Sequence, residues 1–329
     1  MGMLWRCVVI LGVVAAMSSS FQSAPIWTAA LQDSILRPVA ARQLGPEEAA
    51  ENAAQSISRG DLDGARATLE PVLKQYPRSA ALHKMAAILE FRSGRLDAMR
   101  TELLRTVECD PNDAESFLNL ALLELSQRRY AQAIPPLKQY TRLKPEDAQG
   151  YLLIGRAYLN RNLTLEAIPE IRKALSLDPR LPLAHHDLGL AQSTLGKNLE
   201  ALEEFLQEIQ VNPSSPEAYL RAGTIELDHD RLPEAEALLR QARERSPNEA
   251  FAHCELARCY LQERKPEAAE AEFRQAIERD PKLSRAHYGL AQALLALGRR
   301  EEAQREFKLH SELLQRDRAS KSGISASRQ

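Results

Sequence analysis

Residues 250 to 283 read AFAHCELARCYLQERKPEAAEAEFRQAIERDPKL, two helix-like runs separated by charged residues and closed by a proline near the end. A proline recurs with a spacing of 34 residues, at Pro77, Pro111, Pro145, Pro179, Pro213, Pro247 and Pro281. If this proline is position 32, eight units begin at residues 46, 80, 114, 148, 182, 216, 250 and 284, and the last has Gln315 in its place. A fixed period of this length indicates a chain built from stacked copies of one small unit.

Three more positions keep the same period. Position 8 is always small: Ala53, Ala87, Ala121, Gly155, Gly189, Gly223, Ala257 and Ala291. Position 20 is alanine in every unit except the second, which has Met99. Position 24 is always large and apolar: Leu69, Leu103, Leu137, Ile171, Phe205, Leu239, Phe273 and Phe307. Residues four and seven apart share one face of a helix. Small residues at 8 and 20 allow two antiparallel helices to approach closely, with position 24 filling the space beside them. The pattern predicts an all-α fold of helix pairs.

This arrangement resembles the tetratricopeptide repeat (TPR), a unit of 34 residues with small residues at positions 8 and 20, leucine or an aromatic residue at 24 and proline at 32. The resemblance implies a right-handed superhelical solenoid of antiparallel helix pairs. The eight units are 46–79, 80–113, 114–147, 148–181, 182–215, 216–249, 250–283 and 284–317.

Two features depart from the family's pattern. Position 4, usually aromatic, is histidine in four units, at His83, His185, His253 and His287. We interpret these as core histidines with satisfied hydrogen bonds, since a flat ring at this position packs between helices. Prolines also fall inside the second helices of repeats 1, 3 and 4, at Pro71, Pro135, Pro136 and Pro169. They predict a bend or a local loosening in those repeats.

The two ends of the chain differ from the repeats. Residues 1–24 place Arg6 before an apolar run and then small residues, the order of a secretory signal peptide, with an uncleaved N-terminal anchor as the alternative. We therefore expect an exported protein, periplasmic or secreted, with the N-terminal segment as its only link to a membrane. Residues 25–45 are predicted to be a linker or an N-terminal cap, and the polar residues 318–329 a disordered tail.

No motif of an enzyme is present. The sequence has no glycine-rich phosphate loop, no HExxH, no nucleophile elbow and no paired metal-ligand spacing. We predict no catalytic residue, no cofactor, no metal and no small-molecule substrate. The net charge of −2 and the mixed signs along the chain disfavour a nucleic-acid partner. Beyond the N-terminal segment, Cys109, Cys254 and Cys259 are predicted to be free buried thiols.

The candidate functional site is a protein-binding surface. In the TPR family the first helices line the concave side of the solenoid, mainly through positions 2, 5, 9, 12 and 13. Positions 5, 9 and 12 form one helical stripe. The stripe and its extension give the candidate partner-binding residues Lys84, Ile88, Phe91, Leu118, Leu122, Leu125, Leu152, Arg156, Leu159 and Leu190. Lys84 and Arg156 are expected to fix acidic groups of the partner. Leu220, Leu227 and Leu261 continue the track with polar gaps.

Three interpretations of this track remain open. Superhelical packing buries it, or it is a groove for a peptide or protein partner, or the chain's own residues 26–45 occupy it. The basic clamp that some TPR proteins use for carboxylate-ended chaperone tails is disfavoured, because Ile88, Gln149 and Leu153 stand at three of its positions. The sequence favours an exported adaptor in cell-envelope assembly. The alternative is a structural subunit of an envelope complex such as a pilus or a polysaccharide-export machine.

Overall fold

Helices make up all the regular secondary structure in residues 44–326, the part of the chain that the computed structural model describes. They are α1 (Pro46–Ser58), α2 (Leu62–Gln75), α3 (Ala80–Arg92), α4 (Leu96–Cys109), α5 (Ala114–Ser126), α6 (Tyr130–Leu143), α7 (Ala148–Leu159), α8 (Thr164–Leu177), α9 (Ala184–Thr194), α10 (Asn198–Val211), α11 (Pro216–Asp228), α12 (Leu232–Arg245), α13 (Ala250–Gln262), α14 (Pro266–Arg279), α15 (Ser284–Ala296) and α16 (Arg300–Ala326). Odd-numbered helices are the first helices of the eight repeats, and even-numbered helices are the second. The predicted all-α fold of helix pairs is confirmed.

Each helix packs on its partner in the same repeat, and the second helix of each of repeats 1 to 7 also packs on the first helix of the next repeat. The repeated small and large residues explain the first of these contacts. Gly189 in α9 faces Phe205 in α10 so closely that a Cβ atom at Gly189 would lie 2.8 Å from the phenyl ring. Gly223 and Leu239 repeat the arrangement in the next helix pair, also at 2.8 Å. Positions 8 and 24 therefore pack together, as the sequence predicts.

The turns between paired helices share one geometry. Gly60, Gly94, Gly196 and Gly298 at position 15 have positive φ angles, and the residues that replace glycine there (Arg128, Asn162, Asp230 and Arg264) adopt the same conformation. In repeat 5, the N–H of Gly196 donates to Ser193 and the N–H of Lys197 donates to Gln192, both at 3.0 Å. This pair of bonds is a Schellman motif, which ends a helix and fixes the direction of the following residues.

Repeat 5 is the irregular unit of the array. In repeats 2, 3, 4 and 6 a serine or aspartate side chain caps the first helix, but Leu181 occupies the equivalent position before repeat 5. Helix α9 begins only at Ala184, after Leu183, whose φ of 68° is unfavourable for a residue other than glycine. The fully buried Glu208 accepts hydrogen bonds from the N–H groups of Leu183 (3.2 Å) and His186 (3.4 Å). A carboxylate from the second helix thus replaces the missing cap.

One expectation about the helices needs revision, and the bend or loosening at the internal prolines stays a prediction. Helices α2, α6 and α8 continue through their internal prolines without interruption. Packing explains this, because the alanine at position 20 and the large residue at position 24 are buried in each of these helices, which holds the helix in place. At the other end, α16 extends to Ala326, so most of the stretch predicted as a disordered tail is helical. The reason is local, since no proline follows Pro281 and the residues after 317 continue a helix already formed.

Two predictions concern residues outside the described part of the chain. They are the signal peptide or anchor at residues 1–24 and nearly all of the linker or N-terminal cap at residues 25–45. Within the described part, no helix is both long enough and apolar enough to cross a membrane.

Candidate functional site

An apolar track follows the first helices of repeats 2 to 5. We define the apolar track as Ile88, Phe91, Leu118, Leu122, Leu125, Leu159 and Leu190. Phe91 is 44% exposed, which is unusual for a large apolar side chain, and the six others are partly exposed. Packing therefore covers part of each side chain and leaves the rest exposed.

Leu152 does not belong to this track, although the sequence places it there. Its side chain is fully buried in a core cluster with Leu181, the last residue of repeat 4, and Leu188 of repeat 5. Leu220 and Leu227, expected to continue the track, are buried as well. A helical stripe identifies which residues share a face, but the next repeat decides how much of that face is covered. These three leucines stabilise the array and are not available to a partner.

The two cations proposed for partner binding already have acidic partners. Lys84 lies 2.6 Å from Glu115 and 3.1 Å from Asp113, the residue that caps α5. Burial alone would lower the pKa of Lys84, but its hydrogen bonds to Glu115 and Asp113 outweigh burial and raise it. Arg156 forms an ion pair with the buried Asp187 of repeat 5. Both cations thus join neighbouring repeats, and neither presents an unmatched charge.

The first helices of repeats 6 to 8 carry an ion-pair network in place of the track. Glu255 is fully buried and accepts from Arg258 of its own helix and from Arg285 of the next repeat, the latter at 2.8 Å. Arg258 also donates to Asp228 of the preceding repeat at 3.0 Å. Burial raises the pKa of Glu255, and the charges of Arg258 and Arg285 oppose that effect. Charges at positions 2, 6, 9 and 13 of adjacent repeats were the signal that could have revealed this network.

The four histidines at position 4 are hydrogen-bonded, as the sequence predicts, and they share one geometry. Each Nδ1 lies 2.6 to 2.7 Å from a glutamate 19 residues later, and each Nε2 lies 3.0 to 3.2 Å from the carbonyl oxygen of the proline six residues before. The pairs are His83 with Glu102, His185 with Glu204, His253 with Glu272 and His287 with Glu306.

At His185 both ring nitrogens face an acceptor, the carboxylate of Glu204 and the carbonyl of Pro179, and only an imidazolium donates from both nitrogens. The hydrogen bond to Glu204 is the main cause that raises the pKa of His185. Sequence reasoning missed the glutamates, although every unit with histidine at position 4 has glutamate at position 23. Each histidine thus joins the two helices of its repeat to the proline that ends the preceding one.

The described residues contain no group of three or more His, Cys, Asp or Glu side chains placed to hold a metal ion. Cys109, Cys254 and Cys259 are free thiols. Burial raises the pKa of both Cys254 and Cys259 to about 12, so neither is a thiolate near neutral pH. Cys109 is partly exposed, in contrast to the predicted burial.

Tetratricopeptide repeat profiles match the chain over residues 56–121, 118–182, 186–250, 226–283 and 260–322. The chain belongs to the tetratricopeptide repeat family. No curated protein shows a significant match to this TPR chain.

Solved structures of TPR proteins resemble it in fold. The crystal structure of YrrB, a TPR protein with an unusual peptide-binding site, superposes with a TM-score of 0.50 at 22% identity, over 56% of this chain and 95% of YrrB. A chain of the APC/C hetero-tetramer Cut9–Hcn1 superposes with a TM-score of 0.51 at 18% identity, over 75% of this chain and 49% of that one.

Proposed function

We propose that this TPR protein is a non-catalytic adaptor that binds a segment of another protein on the apolar track. The observation that carries the proposal is the exposure of Phe91 together with partly exposed leucines on the first helices of the next three repeats. Grooves lined in this way receive extended or helical peptides. YrrB, which shares the fold, is itself a peptide-binding TPR protein.

The partner segment is apolar rather than acidic. Lys84 and Arg156 are neutralised by Glu115, Asp113 and Asp187, so the track offers hydrophobic contact and little free charge. Burial of apolar surface contributes about 25 cal/mol per Å². A few leucine-sized contacts therefore suffice for specific binding.

We further propose that the adaptor works outside the cytoplasm, in cell-envelope assembly. The order of residues in segment 1–24 supports export. Fractionation of cells that carry the tagged chain tests this part separately. Retention of the full-length chain in the cytoplasm would contradict export and leave the binding proposal intact.

The binding proposal is tested by the double substitution Phe91→Ser and Leu122→Ser. The matched control is Leu295→Ser, since Leu295 is also at position 12 of its repeat and is 47% exposed. Wild type and variants are used to capture partners from the fraction that contains the protein, and the affinity for the identified partner segment is then measured.

We expect the double variant to lose at least about tenfold in affinity, equal to 1.4 kcal/mol, and the control to bind as wild type does. Circular dichroism confirms that helicity is retained in each variant. Undiminished capture by the double variant would show that the track is not the binding surface.

A further inference from the structure

The turns that join the two helices of each repeat form one edge of the array. In repeats 3 to 5 this edge has an unusual composition. We define the central turn edge as positions 14 to 18 of these repeats, residues 127–131, 161–165 and 195–199. It contains four cations and no aspartate or glutamate. In each of the other five repeats, the same positions include at least one acidic residue. The central turn edge is therefore the part of this edge that has cations and no acidic residue at positions 14 to 18.

Leucines project from the same turns. Leu165 is 71% exposed, the most exposed of the large apolar side chains in the described residues. Leu199, its equivalent at position 18 of the next repeat, is 51% exposed, and Leu195 is 37% exposed. Repeats 1, 2, 7 and 8 place Asp63, Asp97, Glu267 and Glu301 at position 18. Acids suit the first turn of a helix, so leucine at this position is not explained by helix formation.

Three of the cations are available to a ligand. Arg128, Arg161 and Lys197 are exposed, and no ion pair among the described residues includes them. Arg129, the fourth, pairs with Glu124. In each of the three turns the N–H of the residue at position 16 (Arg129, Leu163 and Lys197) donates to the carbonyl five residues earlier, at 2.8 to 3.0 Å, so the turns share one backbone geometry. Arg128, Arg161 and Lys197 stand at positions 15, 14 and 16 of these turns. An unpaired cation therefore occurs in each of the three turns, and exposed leucines occur in two of them.

We propose that the central turn edge binds the surface of an anionic lipid bilayer. The three unpaired cations would contact lipid phosphates, and Leu165, Leu195 and Leu199 would enter the boundary between headgroups and acyl chains. A bilayer fits better than a peptide, because these leucines stand on projecting turns, whereas the apolar track keeps its leucines half-buried as a groove does. This membrane contact lies within the repeats. It is independent of segment 1–24 and of the proposed partner site.

The decisive variant is the double substitution Leu165→Glu and Leu199→Glu. It gives repeats 4 and 5 the kind of residue that repeats 1, 2, 7 and 8 carry at position 18, so folding is retained. The full chain is mixed with vesicles of phosphatidylcholine alone, or of phosphatidylcholine and phosphatidylglycerol in equal parts, and flotation is measured. We expect the wild type to float with the anionic vesicles, less so as salt is raised, and the variant to bind at least about tenfold more weakly.

Hydrogen exchange separates the central turn edge from any binding through the N-terminal segment. Anionic vesicles should slow amide exchange in residues 127–131, 161–165 and 195–199 of the full chain. The turns at residues 59–63 and 263–267 share the fold and contain acids, and they serve as internal controls that should not change. In the double glutamate variant the protection should disappear from all three central turns.

Charge is tested with the triple substitution Arg128→Gln, Arg161→Gln and Lys197→Gln. The matched control is Arg59→Gln, Arg264→Gln and Arg300→Gln, which removes three exposed cations from other turns. We expect only the first variant to lose binding to anionic vesicles and the salt dependence of that binding.

Several results would overturn the proposal. One is the absence of protection at the central turns in the presence of anionic vesicles, and another is equal flotation of wild type and the double glutamate variant. Protection by soluble polyglutamate but not by vesicles would assign the surface to an acidic protein. A change of sedimentation between wild type and the glutamate variant, without vesicle binding, would assign it to a second copy of the chain.

Discussion

The first helices of repeats 2 to 5 and those of repeats 6 to 8 have the same backbone pattern and present different surfaces. In the first group, Phe91 and its aliphatic neighbours leave apolar surface open. In the second group, Leu220 and Leu227 are buried and arginines pair with Glu255 and Asp228, while Tyr288 and Leu295 of repeat 8 are 44% and 47% exposed. The repeat pattern therefore fixes where a surface lies, while individual side chains decide whether it is open, covered or charged.

The largest expected effect is a difference in the free energy of unfolding between a variant of the core and a variant of the apolar track. Leu152→Ala should lower the free energy of unfolding by about 3 kcal/mol, because the side chain is fully buried and its removal leaves a cavity. Phe91→Ala should lower it by less than about 1 kcal/mol, because 44% of that side chain is already in water. Urea denaturation of both variants measures the difference. Equal losses would mean that Phe91 is part of the core and that it provides no open surface in repeat 2.

The ion-pair network should produce the next largest effect. The double substitution Arg258→Ala and Arg285→Ala leaves the buried carboxylate of Glu255 without cations, which should cost about 2 kcal/mol at about pH 8. Without the arginines, the pKa of Glu255 rises further above its value in the unfolded chain. The folded state then holds the extra proton at low pH and loses that stabilisation as the pH rises through the folded-state pKa.

The loss should therefore be smaller at about pH 5 than at about pH 8. Denaturation of wild type and the double variant at the two pH values measures this loss of stability. As a control, Glu255→Gln is added to the double variant, which should remove the pH dependence. A loss that does not change with pH would show that Glu255 is not the responsible group.

A histidine at the boundary between the two groups gives a smaller effect. The pKa of His185 is raised mainly by Glu204, so His185 stabilises the fold below its unfolded pKa and loses that contribution as the pH rises through the folded value. The contribution of the charged hydrogen bond is about 1 kcal/mol. In NMR titration, Glu204→Gln should lower the pKa of His185, and the variant should lose less stability than wild type between about pH 6 and about pH 9. An unchanged titration curve would disprove the coupling.

The smallest effect concerns an ion pair on the surface of repeat 6. Arg221 donates to Glu217 at 2.7 Å, and both side chains are nearly half exposed. Arg221→Ala should change stability by less than about 0.5 kcal/mol, and less at high salt. A double-mutant cycle with Glu217→Ala measures the interaction. A value as large as that of the Glu255 network would show that burial is not what separates strong from weak pairs in repeats 6 to 8.

The candidate site was predictable only in part. The stripe of positions 5, 9 and 12 placed the exposed Phe91 and the partly exposed Leu122 on one helical stripe, because helical spacing depends on local sequence alone. It wrongly included Leu152, and it assigned Lys84 and Arg156 to a partner. Each of these side chains meets residues of the following repeat, about 30 positions later, such as Glu115 or Asp187. Spacing along one helix carries no information about those contacts.

The eight repeats and the pairing of helices are predictable from the sequence, because each depends on side-chain size or backbone preference within 34 residues. Which leucines are buried, which charges are paired and how α9 begins, with Glu208 in place of the missing cap, depends on the tertiary structure. The physical reason is that burial and ion pairing arise between repeats, where the side chains of one unit fill or leave open the surface of the next.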